Sequence, residues 1–208
     1  MLTQRAPPAS FFVDETFLSL SSCRPMPLKE WKRMRETVVA RNPWWVYRKD
    51  DYELPSGKGG EYHYVHTNGA SLIIPVTDDG NLLMVNQYRY LMRRESIEFP
   101  CGGVKEGSSY NETAWHELRE ETGYTTDRLF EAGEFNPYNG VTDEICKIYI
   151  ARDLRFVGET PDETEEFEYL RLAPEQLESS IASGRIWDGM TIAAWAIART
   201  KIAGTEKK

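Results

Sequence analysis

Residues 102–124 read GGVKEGSSYNETAWHELREETGY, and the segment's local chemistry predicts a glycine loop running into one helix. Ser109 and Glu112 have the spacing of a capping box, and Gly123 is placed to end the helix after Thr122. At 3.6 residues per turn, Glu117, Glu120 and Glu121 fall within about 100° of one another. Ala114, Leu118 and Thr122, with Trp115 beside them, form an opposite stripe that suits a core. Like charges on one helix face repel by a few tenths of a kcal/mol per close pair. A solvated acidic face is one reading of the three glutamates. The other is a set of hard oxygen ligands for Mg²⁺ or Mn²⁺, ions that bridge carboxylates and phosphates.

Outward from this segment the sequence alternates between strand patterns and turns. Towards the N-terminus, SIEFPCGG (96–103) is a short strand entering the glycine loop. ASLIIPVT (70–77) and NLLMVNQYRY (81–90) flank the turn residues DDG, a strong hairpin signal. WWVYRKDDYEL and EYHYVHT read as two further strands around PSGKGG. Residues 28–40 read as a short helix stopped by Asn42–Pro43, and residues 1–27 as an irregular arm. Beyond the helix, LFEAGEFNPYN, EICKIYIARDL and FEYLRLA are strand patterns. Pro174 opens a helix reaching Ser183, with Gly184 as its cap, and GMTIAAWAIARTKI is a last helix. Strands, a helix, more strands and two helices in that order indicate an α+β fold rather than βαβ winding.

Composition narrows the function. The 208 residues carry 33 acids against 25 bases, a formal charge of −8, which argues against nucleic acid as the main partner. Cys23, Cys101 and Cys146 are too scattered for a disulfide framework or a zinc knuckle, and suit a reducing cytoplasm. No stretch has the roughly 20 apolar residues of a membrane span, and Asp14 and Glu15 interrupt any signal-like start. The expectation is a soluble, cytoplasmic enzyme or binding protein with no membrane partner.

The spacing of Gly102, Glu117, Leu118, Glu120, Glu121 and Gly123 resembles the Nudix box, G-x5-E-x7-R-E-U-x-E-E-x-G-U with U bulky and aliphatic. Tyr124 fills the last apolar position. Ser108 stands where the pattern has its first glutamate, and His116 where it has arginine. The resemblance implies that Glu117, Glu120 and Glu121 bind Mg²⁺ or Mn²⁺; Ser108 and His116 together replace a supporting acid and base, and a hydrogen bond between them would do part of the same work.

Sequence around the box is similar to ADP-ribose and nucleoside-diphosphate-sugar pyrophosphatases. In NQYRY, Arg89 matches an arginine that reaches substrate phosphate, and Glu98 belongs to the same pocket. Cys101 precedes the first box glycine and lends its carbonyl to a metal. YNGVTDE (138–144) resembles a loop whose acid, here Glu144, holds metal or substrate, although Asn139 replaces the loop's proline. PDETEEFEYLRL resembles the mobile loop that carries the catalytic base, matched by Glu163, with Glu165 as second candidate; Glu120 is a further catalytic candidate. SGRIWDGMT matches a recurrent segment of the last helix pair and is read as scaffold.

The fold implied is a Nudix-type α/β/α sandwich with a mixed sheet and a small N-terminal β subdomain. Residues 1–40 would be arm and short helix, 41–68 the dimer-forming β subdomain, 69–203 the hydrolase domain and 204–208 a tail. Trp44, Trp45, Tyr47, Tyr62 and Tyr64 suit core packing, a homodimer face, or stacking on a nucleobase. The function implied is metal-dependent hydrolysis of a nucleoside diphosphate joined to a sugar or similar group, releasing a nucleoside monophosphate. The alternative is a Nudix-fold module that binds a nucleotide without turnover.

Overall fold

The computed structural model describes residues 28–158 and 168–203. Its first element corrects the sequence reading. The segment expected as a helix over 28–40 forms strand β1 (Lys32–Arg41), antiparallel to β2 (Val46–Glu53), which pairs in turn with β3 (Gly59–His66). Thr37-Val38-Val39 is a β-branched run, disfavoured in a helix and favoured on a pleated surface. Charges across the ladder add register: Arg35 meets Asp51 at 2.6 Å, and Glu36 meets Arg48 at 3.1 Å. Asn42 makes the β1–β2 turn, its side-chain oxygen accepting from the backbone N–H groups of Trp44 and Trp45. The N-terminal sheet therefore begins within the stretch expected as arm and helix.

Strand β4 (Ala70–Pro75) is buried along its whole length. Leu72 and Ile74 face one apolar cluster, and Ile73 the other, so the strand is covered on both sides. The expected hairpin to β5 (Leu82–Arg89) opens after a single bridge, Val76 to Leu82. Its turn does form: Gly80 has φ +79°, the Gly80 N–H donates to the Thr77 carbonyl, and Asp79 accepts from Thr77, Asn81 and Arg171. The two strands then part into different sheets. Strand β5 lies between β6 (Arg94–Glu98) and a later strand, whereas β4 pairs antiparallel with β7 (Cys101–Gly103).

Helix α1 (Tyr110–Thr122) forms as its end signals require. Ser109 and Glu112 complete the capping box, and Gly123 ends the helix in the left-handed region at φ +72°. Leu118 and Ala114 pack on Ile73, Tyr149 and Ala151. Full burial of a leucine such as Leu118 contributes roughly 1.5–3 kcal/mol. Strands β8 (Tyr124–Thr125), β9 (Arg128–Phe135), β10 (Cys146–Arg152), β11 (Arg155–Phe156) and β12 (Glu168–Leu172) follow. Strand β10 runs parallel to β4 and antiparallel to β9, giving the mixed order β7-β4-β10-β9; β12-β5-β6 forms a second sheet.

Helices α2 (Pro174–Ala182) and α3 (Gly189–Ala203) cover the opposite side, where Leu177, Ala194, Trp195 and Ala198 join the larger core. The result is a mixed α+β sandwich, with α1 on one side of the strands and α2 and α3 on the other. Among the described residues no helix is long and apolar enough to cross a membrane. Replacing the cap by Ser109→Ala is expected to cost about 1 kcal/mol and to lower the thermal midpoint by about 2–4 °C, measured by circular dichroism.

Candidate active site

The chain passes from one sheet to the other at Phe99–Pro100, and the site is built around this crossing. Before it, Glu98 on β6 is almost fully buried at 4 % exposure. Its direct partner on β5 is Val85, and the long Arg89 side chain reaches Glu98 from four residues further along that strand. The Arg89 Nε donates to Glu98 Oε1 at 2.8 Å, and the Arg89 terminal nitrogen to Glu98 Oε2. This bidentate pair offsets the desolvation of the buried carboxylate. The same bonds raise the Arg89 pKa.

After the crossing, the Cys101 N–H donates to Glu121 Oε2 at 3.1 Å, drawing a nearly buried carboxylate onto the loop. A Cβ built on Gly102 would overlap the Glu117 carboxylate. Only glycine leaves that space, so the first glycine of the quoted segment is there for the approach of α1. Glu120 lies on the exposed side of the same helix. Among the described residues, no three His, Cys, Asp or Glu side chains are gathered into one ligand set.

A hydrogen bond with the Cys146 thiol, together with burial, pushes the Cys101 thiol pKa well up and keeps the sulfur protonated. Its carbonyl belongs to the same class of hard oxygen donors as the glutamates, the class that suits Mg²⁺ or Mn²⁺. With Glu117 seated against the bare Gly102, this oxygen-donor set fits such an ion.

Glu144 arrives from the 138–144 loop and receives a hydrogen bond from the Thr67 hydroxyl at 2.8 Å. The loop is fastened to β3 along its length. Val65 N–H donates to the Val141 carbonyl, His66 pairs with Asp143 at 2.8 Å, and Tyr62 donates to the Gly140 carbonyl. Asn136 donates from beneath to the Thr142 and Glu144 carbonyls. These bonds fix a loop that has Asn139 in the proline position. Arg89, Glu98, Cys101, Gly102, Glu144 and Asp188 line one cleft of about 220 Å³.

Four expected residues thus meet: Arg89, Glu98, Cys101 and Glu144. Glu117 and Glu121 reach the cleft's glycine loop from α1. Glu163 and Glu165 lie outside the described residues. Ser108 and His116 do not join by a hydrogen bond; His116 is exposed, one turn beyond Glu112. The Ser109 backbone N–H and hydroxyl hold the Glu112 carboxyl below its usual range, and His116 adds a smaller pull.

The sequence reading missed Asp188, Thr191 and Thr67. Asp188 accepts from the Thr191 N–H at 2.7 Å, and the Thr191 hydroxyl accepts from the Phe99 N–H at 3.1 Å. The D-x-x-T spacing of a helix start was the available signal. Nothing in it revealed that Asp188 also faces the cleft.

Comparison with known proteins agrees with this geometry. The NUDIX domain model matches residues 66–193. An ADP-ribose pyrophosphatase of Bacillus subtilis (strain 168) is 34% identical over 144 residues, covering 68% of this chain and 78% of the relative. A GDP-mannose pyrophosphatase of Yersinia enterocolitica serotype O:8 is 29% identical over 177 residues, covering 77% and 91%. The crystal structure of an ADP compounds hydrolase matches in fold with a TM-score of 0.75 at 22% identity, covering 88% of this chain and all of the other.

Gly102→Ala separates the loop's role from the fold's. The displaced atoms are the far end of a flexible side chain, so the thermal midpoint is expected to change little. Displacing Glu117 is expected to weaken Mn²⁺ binding about 10- to 100-fold, read by calorimetry.

Proposed function

The chain belongs to the NUDIX family and is a Nudix hydrolase, and we propose that it cleaves the diphosphate of a nucleoside diphosphate joined to a sugar or similar group. The observation that carries this reading is the cleft itself. A half-buried ion pair presents the Arg89 guanidinium beside a glycine loop met by the carboxylates of α1. Guanidinium geometry matches phosphate oxygens. The relatives named for ADP-ribose and GDP-mannose share a nucleoside diphosphate linked to a sugar, and that shared unit is the proposed substrate.

Glu117, Glu120, Glu121 and the Cys101 carbonyl, with Glu144, are the residues proposed to hold Mg²⁺ or Mn²⁺. Bound there, the metal would neutralise diphosphate charge and lower the pKa of the attacking water. Arg89 contacts a phosphate oxygen and is kept in place by Glu98. Glu163, or Glu165, takes a proton from the water as it attacks one phosphorus. The bridging P–O bond breaks, and a nucleoside monophosphate leaves together with the sugar phosphate.

The proposed setting is the cytoplasm, on the ground of three scattered cysteines. The proposed assembly is a homodimer through the β1–β3 sheet. That sheet and the residues flanking β1 expose Trp31, Met34, Val38, Val39 and Trp44, and β1 is one of its two edge strands. Exposed apolar groups along an unpaired edge suit pairing with a second copy. Light scattering is expected to give twice 24.0 kDa for the native chain, and the single mass for Val38→Lys.

Turnover is tested on a panel of nucleotide sugars with Mg²⁺ or Mn²⁺, following release of the nucleoside monophosphate. Glu117→Gln and Glu121→Gln are each expected to lower kcat/KM about 100-fold or more, through several kcal/mol of lost charge stabilisation. His116→Arg is expected to leave turnover unchanged or raise it. Thermal shifts showing binding across the panel without turnover would overturn the proposed substrate class.

A further inference from the structure

Asp188 is placed more firmly than its position in a connecting turn suggests. Its Oδ2 accepts the Thr191 N–H at 2.7 Å, and its carbonyl accepts the Ile192 N–H at 3.1 Å, so it starts α3. Beside it, the Trp187 ring donates its N–H to the Glu95 carbonyl at 3.1 Å and lies under the Arg94 guanidinium at 3.8 Å. Thr191, fully buried, ties the same turn to Phe99 at the sheet crossing. Oδ1 takes no hydrogen bond from the described residues, and the residue lines the same cleft as Arg89 and Glu98. Its negative charge also acts on Arg89.

A carboxylate held this way accepts hydrogen bonds and cannot donate them. A further phosphate brought to it meets a like charge, whereas a neutral hydroxyl donates to it favourably. Glu98 is already engaged by both nitrogens of Arg89, and Glu144 accepts from Thr67. Glu144 engages Thr67 through Oε2 alone and is proposed above for the metal, which leaves the free oxygen of Asp188 for an uncharged donor.

We propose that Asp188 binds a hydroxyl of the distal sugar carried by the diphosphate and so is a specificity-determining residue. This rests on the nucleoside-diphosphate-sugar reading above. It implies selection for a hydroxylated group beyond the second phosphate and against a third phosphate there.

The test separates sugar recognition from helix capping and from turnover. Serine caps a helix about as well as aspartate, so Asp188→Ser removes the cleft carboxylate while keeping the start of α3. Calorimetry in Mg²⁺ compares α,β-methylene ADP-ribose with the same compound lacking the distal ribose hydroxyls. The native chain is expected to prefer the hydroxylated ligand about 10-fold, the effect of one hydrogen bond to a charged group. Asp188→Ser is expected to lose that preference by weakening only the hydroxylated ligand, with its thermal midpoint unchanged.

The proposal is overturned if Asp188→Ser keeps the preference or weakens both ligands equally. It is also overturned if the native chain shows no preference, failure to bind included. Hydrolysable ADP-ribose serves as the separate control. If it yields no AMP while the binding preference stands, the hydrolysis reading fails and the role of Asp188 remains.

Discussion

Three backbone hydrogen bonds hold the chain where it leaves one sheet for the other. Phe99 N–H donates to the Thr191 hydroxyl, Cys101 N–H to Glu121, and the Pro100 carbonyl accepts from Ile73 N–H. Pro100 has no N–H to satisfy, which suits the residue between the two donors. Glu98 and the glycine loop take their places from this crossing. Glu98, one step before it, is paired in the β5–β6 ladder and so reaches Arg89. Gly102, just after it, runs beside β4 and so meets Glu117. A shift of one residue would turn Glu98 to the wrong face and set a side chain where Gly102 leaves room for Glu117.

The crossing also explains how a cleft rich in acids holds together. Glu98 is neutralised by Arg89, Glu121 accepts a backbone N–H, Glu144 a hydroxyl, and Asp188 the Thr191 N–H in the first turn of α3. Each carboxylate is stabilised by a different element, so the acids are spread around the cleft rather than crowded at one point. The changes at Ser108 and His116 obey the same logic. An acid and a base are replaced together, and neither leaves an isolated charge in the loop. His116 is exposed one turn beyond Glu112 and makes no hydrogen bond with Ser108, whereas Glu121 is held by the Cys101 N–H at the crossing.

What the sequence made legible follows from where the determining interactions lie. Helix α1 was readable because its cap, its end and its apolar stripe sit within one short segment, Ser109 to Gly123. The strands around it were readable for the same reason. Strand β1 was not, since its charged pattern also suits a helix and its partners, Asp51 and Arg48, come later in the chain. The β4–β5 turn was read correctly, but the parting of its strands is decided by β10, β7, β6 and β12. In the cleft, Arg89, Glu98, Cys101 and Glu144 followed from motif resemblance. Asp188 was seen as scaffold because its capping role is local, while its approach to Arg89 exists only after folding.

Glu144 shows how far the site extends beyond the segment that identifies it. Its loop is bonded to β3 at Val65, His66 and Tyr62, and β3 belongs to the N-terminal sheet rather than to the sheets that flank α1. Strand β3 runs straight on to Thr67, whose hydroxyl holds the Glu144 carboxylate, and to Gly69, which at φ +99° leaves room for the Tyr110 ring at the start of α1. Residues 62–69 thus touch both the acid on one wall of the cleft and the helix whose glutamates reach its glycine loop. Because these contacts are short and mostly involve backbone atoms, a displacement of β3 cannot be absorbed by side-chain rotation alone. The N-terminal sheet is therefore part of the frame that sets the distance between Glu144 and the glutamates of α1.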